Sequence, residues 1–427
     1  MFVKYKQARP SKIITHRNKA FEFLRNEWTF VSDPVLFKRL KGFPELFEFV
    51  DFNEKDLIRL GDSVKFESKN GSVLIKCNER RTYTILDKLP FITLQAERQD
   101  CRIYRVTNCM HPHYLNFRES YDESLNYCNY DIGVFRDLGG WGDVQMALSV
   151  VAHLKKKFNG AKITFSCPNE FLTLGENNPN IDKLMPLHEF YKTDFDLIFN
   201  LSTICVQTEI KSGVEVTKNR IEIFAEACKL ENYLPGKIYL TDEENKWAEE
   251  YLNYANGKKI LGLIIQSNTM TRCWDKFEEL SLKLQEKYGS EYEILVLDKG
   301  FNIFGKTLNW EGAGKCVINL PIRKVLSLLN RCSLVIGPDT GPMHSAATLE
   351  IPTLWIFSHI DGNIRTKGYN NTYIIQKDKN TCEKIPCWYK VPCKALMTYP
   401  KCMLEVSVKE VADKVEEILN KKKSTDN

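Results

Sequence analysis

Apolar residues in the middle of the chain fall in short runs, each followed by a stretch in which they recur every three or four positions. The runs at 132–135, 162–167 and 196–201 read as buried strands, and the spacing over 144–158 predicts an amphipathic helix between the first two, completing a βαβ unit. A second alternation begins at 259. It predicts a strand at 260–265, a helix at 276–288, strands at 293–297 and 316–319, a helix at 322–329, a strand at 334–336, a helix at 343–349 and a strand at 353–357. Buried strands alternating with helices indicate parallel α/β architecture, so two α/β domains in series are expected. Their join is placed near 253–258, a polar stretch with a glycine that follows an acidic helix at 242–252.

Both ends of the chain have a different texture. Over residues 1–125 short apolar segments are broken by charges and turns, and the runs at 72–76 and 81–86 alternate as β-hairpin material does. No catalytic spacing stands out there. Near the other end Val408, Val411, Ala412, Val415, Ile418 and Leu419 recur at i, i+3, i+4 and i+7, predicting a terminal helix with a Lys-rich end. The expected division is therefore an accessory domain at 1–125, α/β domains at 126–257 and 258–406, and a helix and tail at 407–427.

Composition narrows the function class. With 427 residues, 43% hydrophobic and 27% charged, the chain is an ordinary globular sequence long enough for two or three domains. A net charge of +5 is too dilute over this length to mark a nucleic-acid binder. The longest apolar runs fall short of the ~18 residues that a membrane span needs. No apolar stretch follows the first residues, so cytoplasmic residence is expected. Of the 14 cysteines, ten are scattered singly, as at Cys167, Cys205 and Cys332, and read as small core residues.

Three turns carry candidate chemistry. The first, Arg136, Asp137, Leu138, Gly139, Gly140, Trp141, Gly142, Asp143, joins a strand to a helix, at the sheet edge where open α/β folds bind ligands. Its glycines let the backbone come close to a ligand, and Asp143 is read either as a helix cap or as a general base. The second runs from Gly337 through Pro338, Asp339, Thr340, Gly341, Pro342, Met343 to His344 and on to Ser345, Ala346 and Ala347, with small residues over a first helical turn whose amides suit phosphate oxygens. Asp339 would cap the helix or hold a ribose or a phosphate-bound partner, and His344 would donate to a pyrophosphate or pack in the core. The third, 266–274, is rich in hydroxyls and carries Arg272, a combination suited to oxyanions; the alternative is a polar surface loop.

Taken together, the turn ending in Gly142 and Asp143, the loop from Ser267 to Trp274, and the Asp339, Thr340, Gly341, Pro342, Met343, His344 turn with Ile351, Pro352 and Thr353 after its helix resemble glycosyltransferase family 9, the heptosyltransferases. The resemblance covers about residues 130–420. It implies a GT-B fold, two Rossmann-like domains facing across a cleft, here with an added partly β domain at the N-terminus. It further implies a C-terminal helix that packs back toward the first domain, Asp143 as catalytic base, and a nucleotide-sugar site made by Ser267, Arg272, Asp339, Thr340, Gly341 and His344. An Arg stands at 272 where the family has Lys, which keeps the charge and changes the donor geometry. Gly140 and Trp141 stand where a serine-rich lead-in is commoner.

The activity implied is inverting transfer of a sugar, heptose by resemblance with ADP-heptose as donor, to a hydroxyl of a glycan or protein acceptor, without a catalytic metal. A nucleotide-sugar epimerase and a non-catalytic sugar- or protein-binding module are the alternatives. The layout also resembles the heptosyltransferase-like enzymes that modify autotransporter proteins, which carry an extra N-terminal β domain and a cysteine-bound iron. A matching feature is present. Cys382, Cys387, Cys393 and Cys402 are spaced C-x4-C-x5-C-x8-C with Pro386 and Pro392 among them, a set of thiolates suited to structural iron or zinc, or else to disulfides. The expected partners are a nucleotide-diphosphate sugar and a glycan or protein acceptor, with no nucleic acid, no membrane span and a possible homo-oligomer.

Overall fold

The computed structural model describes residues 2–6, 11–16, 19–24, 27–30, 34–50, 57–60, 63–67, 73–77, 83–86, 91–94 and 102–105, then 130–425 apart from 191–192, 194, 196, 203, 213–215, 232–233, 301–306 and 389–398. The N-terminal segments form antiparallel sheets. Six strands run in the order Arg102–Arg105, Phe91–Leu94, Tyr83–Leu86, Glu27–Phe30, Phe2–Tyr5, Phe47–Val50. Ser11–His16 pairs with Lys19–Leu24, and Leu57–Leu60, Ser63–Glu67 and Val73–Cys77 make a third sheet. The two runs expected as hairpin material are both strands, Val73–Cys77 and Tyr83–Leu86, and they lie in different sheets.

The middle of the chain builds a parallel sheet in the order Lys183–Leu184, Lys162–Ser166, Asp131–Phe135, Leu197–Asn200. The chain lays down strands outward on one side of Asp131–Phe135, then returns to its other side. The point where that order reverses is the place where open α/β sheets leave a crevice. Alternation along the first strand divides the core: Ile132 and Val134 join the main cluster, whereas Phe135 packs with Met185, Phe190, Phe195 and Ile198 on the opposite face. The helix expected over 144–158 is two helices, Trp141–Ala147 and Ser149–Lys157, meeting at Leu148.

The second sheet has six parallel strands in the order Lys315–Ile318, Tyr292–Asp298, Lys259–Ile264, Cys332–Pro338, Thr353–Phe357, Thr372–Gln376. In chain order this is 3-2-1-4-5-6, the doubly wound arrangement whose reversal lies between Lys259–Ile264 and Cys332–Pro338. The chain enters this unit through Asn256 and Gly257, with φ of 51° and 77°. The acidic helix Asp242–Tyr251 packs on Ile322–Leu329, where Arg323 Nη2 donates to Glu244 Oε2 at 2.5 Å.

The terminal helix, Val408–Thr425, departs from the expected packing. Val408, Val411, Ala412, Val415, Ile418 and Leu419 are buried against Leu261, Leu263, Ile294 and the Phe277–Tyr288 helix, so its apolar stripe covers the outer face of the second sheet and does not turn back to the first unit. Burying each Val, Ile or Leu side chain contributes about 1.5–3 kcal/mol, which holds this helix on the second unit. No helix among the described residues is long and apolar enough to cross a membrane.

Candidate active site

Both reversal points open onto one cleft of about 380 Å³. From the first unit it is lined by Gly140, Trp141, Gly142, Asp143, Met146, Phe171 and Arg220, and from the second by Gln266, Ser267, Asn268, Arg272, Asp298, Lys299, Asp339, Thr340, Gly341, His344 and Arg365, among others. All seven residues expected to act on the donor or as base therefore border the same space. Gly140 is the N-cap of helix Trp141–Ala147, and Asp143, three residues in, accepts from the Gly140 amide through Oδ2 at 3.1 Å. This completes a capping interaction in which the carboxylate also meets the positive end of the helix. Gly139 is required twice over: its φ is +100°, and a Cβ there would lie 2.5 Å from Asp143 Oδ2.

The other carboxylate oxygen of Asp143 is an ion-pair acceptor. Arg220 Nη1 donates to Oδ1, and Arg136 Nη2 lies 3.4 Å from the same atom. Burial works to raise the pKa of this carboxyl. The guanidinium groups of Arg220 and Arg136, helped by the Gly140 amide and by Arg365, overcome that effect and hold it well below the ordinary carboxylate range. Asp143 is thus both the cap and a cleft-facing anion, with its side chain 18% exposed.

In the second unit the two turns at the reversal are stitched together. Ser267 Oγ donates to the carbonyl of Asp339 at 3.0 Å, and Arg272 Nη1 lies 3.4 Å from Asp339 Oδ2 while its Nε donates to Thr269 Oγ1 at 3.1 Å. Thr340 is the N-cap of helix Gly341–Thr348 without a side-chain cap bond. His344 is buried, with Nε2 3.2 Å from Asp339 Oδ1, Nδ1 3.2 Å from the Tyr369 hydroxyl, and its ring edge-on to Trp355. Burial pulls the imidazole pKa down against the pull of Asp339. For Asp339 burial pushes upward, and the His344 hydrogen bond, Arg272 and Arg365 outweigh it, leaving the carboxyl well below its usual range. A neutral ring donating Nε2–H to Asp339 and accepting from Tyr369 at Nδ1 satisfies all three groups. Both ring nitrogens of His344, read from the sequence either as a donor to a pyrophosphate or as a core side chain, are therefore engaged within the protein.

The two units touch at these turns. A Cβ on Gly341 would lie 2.5 Å from Trp141 Cβ and 2.9 Å from the Gly142 amide, and a Cβ on Gly142 would lie 2.8 Å from His344 Cδ2. Glycine at both positions is what allows the approach.

Several cleft residues lie beyond the sequence expectations. Asp298 ends the strand next to Lys259–Ile264, accepts from the Gly300 amide at 2.8 Å, and is pushed upward in pKa by burial. Arg220 sits inside an Asn219–Glu222 capping pair that is visible in the sequence as N-x-x-E, the signal that could have located its helix. Arg365 sits at the end of helix Gly362–Arg365. Of the cysteine cluster, Cys382 is half-buried and Cys387 and Cys402 are buried, while Cys393 lies outside the described residues. Among the described residues no group of three or more His, Cys, Asp or Glu could hold a metal ion. Cys167, Cys205 and Cys332 are core residues, and burial pushes each thiol up to about 12.

No curated protein matches the chain in sequence. Residues 206–390 match the family model described as glycosyltransferase family 9 (heptosyltransferase). That span takes in Ser267, Arg272 and the 339–344 turn and begins after Asp143. Among solved structures, a family 9 glycosyl transferase from Veillonella parvula superposes with TM-score 0.55 at 16% identity, covering 70% of this chain and 99% of that one. The ADP-heptose lps heptosyltransferase II of E. coli gives 0.52 at 11%, with 69% and 99% covered. The iron-containing dodecameric glycosyltransferase TibC of enterotoxigenic E. coli H10407 gives 0.51 at 12%, with 77% and 87% covered. At such identities the likeness is one of fold, and it is the facing pair of α/β units described above. Residues 206–390 therefore match the family 9 glycosyltransferase (heptosyltransferase) model, and the chain shares the GT-B fold of these solved structures.

Proposed function

We propose that the cleft transfers a sugar with inversion from a nucleotide-diphosphate donor, ADP-heptose as the first candidate, to an acceptor hydroxyl, with Asp143 as the base. The observation that supports it is that Asp143 and the Arg272–Asp339–Gly341 turns, 129 residues or more apart in sequence, border one cleft. The acceptor oxygen attacks the anomeric carbon, its proton passes to the Asp143 carboxylate, and the bond from that carbon to the diphosphate breaks, releasing the nucleoside diphosphate. Asp143 is ionised throughout the working pH range, which keeps it ready to accept a proton while limiting its basicity. Arg272 and the amides around Gly341 offset the charge on the departing diphosphate. Asp298, ending the strand beside the reversal, is placed as Rossmann-type folds place the carboxylate that accepts from ribose hydroxyls. In this reading Ser267 and His344 act by fixing Asp339, and Thr340 with Gly341 faces the nucleotide. The ADP-heptose named in the description of the E. coli relative supports the choice of donor.

A thermal-shift panel of nucleoside diphosphates and nucleotide-sugars tests it. A ligand at 100 times its dissociation constant stabilises by about 2.7 kcal/mol. Stabilisation by ADP and ADP-heptose is expected; a response to UDP-sugars alone redirects the donor, and no response to any of them overturns the reading.

The same reading assigns residues 1–125 to acceptor docking or oligomer contacts. A chain starting near 126 should bind nucleotide yet lose transfer or assembly, and full transfer by that chain to the acceptor used by the whole protein discards the assignment. Cytoplasmic residence belongs with it and is tested by cell fractionation. A structural iron or zinc at Cys382, Cys387, Cys393 and Cys402 is supported by the four thiols within 21 residues and by the iron in TibC's description. The three described thiols do not form a metal-holding group as they stand, so loading requires them to converge with Cys393. About one metal per chain by elemental analysis supports the site, and metal-free protein overturns it.

A further inference from the structure

Asp143 does not hold its cation alone. Arg220 opens helix Arg220–Ala227, whose start is pinned by the reciprocal pair in which Asn219 Oδ1 accepts from the Glu222 amide and Glu222 Oε2 from the Asn219 amide, both at 2.8 Å. From that fixed start its side chain reaches two carboxylates. Nε and Nη2 donate to Glu209 Oε1 and Oε2 at 2.9 and 2.8 Å, a planar fork on a planar fork, and Nη1 donates to Asp143. Glu209, on helix Ile204–Ser212, is 0% exposed and does not line the cleft. From the second unit Arg365 Nη1 reaches Glu209 Oε1 at 3.3 Å. A buried carboxylate is tolerated only when paired and hydrogen-bonded, and this one is placed so that its pairing fixes a guanidinium whose Nη1 donates to the cleft carboxylate.

We propose that Arg220 is the positioning residue for Asp143: gripped by Glu209, it holds the Asp143 carboxylate as an anion in one orientation, and Arg365 completes the grip from the other unit. This rests on the reading of Asp143 as base. The other groups facing Asp143 do not substitute for Arg220. Arg136 spends Nη1 on the carbonyls of Leu201 and Ser202 at 2.6 and 2.8 Å and stands farther from Oδ1. The Gly140 amide engages the other oxygen. Arg365 acts through Glu209, the imidazole of His344 is turned to Asp339 and Tyr369, and Cys205 is a thiol held protonated by burial.

The test uses the full chain with Arg220→Met, Arg220→Lys, Glu209→Gln, Asp143→Asn and the Arg220→Met/Asp143→Asn pair. Release of ADP from ADP-heptose is followed against pH, and stability by urea unfolding. Removing an adjacent cation raises a carboxyl by about 1–3 pH units, so the acid limb of kcat should move up by that much in Arg220→Met. In Arg220→Lys the limb should stay near wild type while kcat falls, because the charge remains and the fork is lost. Glu209→Gln should lower kcat with KM for ADP-heptose within about twofold. The two single losses in stability should be non-additive in the double variant. An unmoved acid limb in Arg220→Met with additive stability losses overturns the inference. If the wild type does not turn over ADP-heptose, the unfolding cycle decides alone: non-additivity supports the held pair and additivity overturns it. Wild-type turnover by Asp143→Asn overturns the base reading instead, a result distinct from an inactive Asp143→Asn beside an unmoved limb.

Discussion

Trp141 Nε1 donates to Ser345 Oγ at 2.7 Å, tying the glycine-rich turn of the first α/β unit to helix Gly341–Thr348 of the second. The same hydroxyl lies 3.5 Å from Gln145 Oε1, so one buried serine serves two groups from the opposite unit. Ser345→Ala leaves the indole N–H without its partner in a partly buried site, which costs about 1–3 kcal/mol. Urea unfolding should show that loss. An unchanged midpoint and slope would mean that the indole finds another acceptor.

At Gly341 the backbones of the two units approach closely. A methyl group there meets Trp141 Cβ at 2.5 Å and the Gly142 backbone at 2.9 Å, and the backbone contact cannot be relieved by a rotamer change. Gly341→Ala should therefore push the turns apart. A displacement of about 1 Å near the chemistry costs on the order of 100-fold in rate, so kcat/KM for the donor should fall on that scale. Activity close to wild type would show that the turns are not held this close during turnover.

Asp143→Asn keeps the Gly140 capping acceptor and removes the negative charge. Nucleotide affinity should be retained while turnover falls by about 100-fold or more, the scale of a lost general base. Near-wild-type turnover would leave Asp143 with its capping role alone.

Alternating buried runs and helical spacing locate both sheets, because strands covered on both faces are continuously apolar and their helices carry a stripe. The turns were legible because glycine, proline and aspartate punctuate strand-to-helix joins. Two features were not. The packing of Val408–Thr425 is set by which apolar face is left uncovered, and a stripe shows that a helix is buried without showing against what. Arg220, Glu209 and Arg365 come from three separate helices, and their meeting depends on a fit between units that no local spacing encodes. From its place in the turn His344 reads either as a donor to a pyrophosphate or as a packed core side chain, and the partner at its Nδ1, the Tyr369 hydroxyl 25 residues on, is not encoded in that local spacing.

Arg272→Ala should weaken binding of a nucleoside diphosphate. A hydrogen bond to a charged group contributes about 1.5–3 kcal/mol, so calorimetry should show Kd raised by about 10- to 150-fold. Arg272 is also one of the cations beside Asp339, so Arg272→Lys should restore part of the affinity through charge without the guanidinium fork. Equal affinity in Arg272→Ala and wild type would remove this residue from the diphosphate site.

The His344–Asp339 pair gives the fold a pH dependence whose sign follows from the geometry. Burial lowers the imidazole pKa in the folded chain, so the unfolded chain takes up that proton first as pH falls through its ordinary value of about 6.5. Stability is complete above that value. Below it, stability declines by about 1.4 kcal/mol per pH unit for each proton so withheld, until the folded ring protonates as well. Asp339 acts lower down: its carboxyl is depressed, so its contribution is complete above about pH 3.9 and is lost only as pH falls further. Between about pH 6.5 and 5 the imidazole is therefore the group of this pair that matters. Replacing it by a neutral amide, His344→Gln, should flatten the decline of urea-unfolding free energy over that interval while lowering stability at pH 7.5, where the ring's bonds to Asp339 and Tyr369 are lost. An undiminished slope in His344→Gln would mean that the ring is already protonated in the folded chain and that its pairing with Asp339 is ionic.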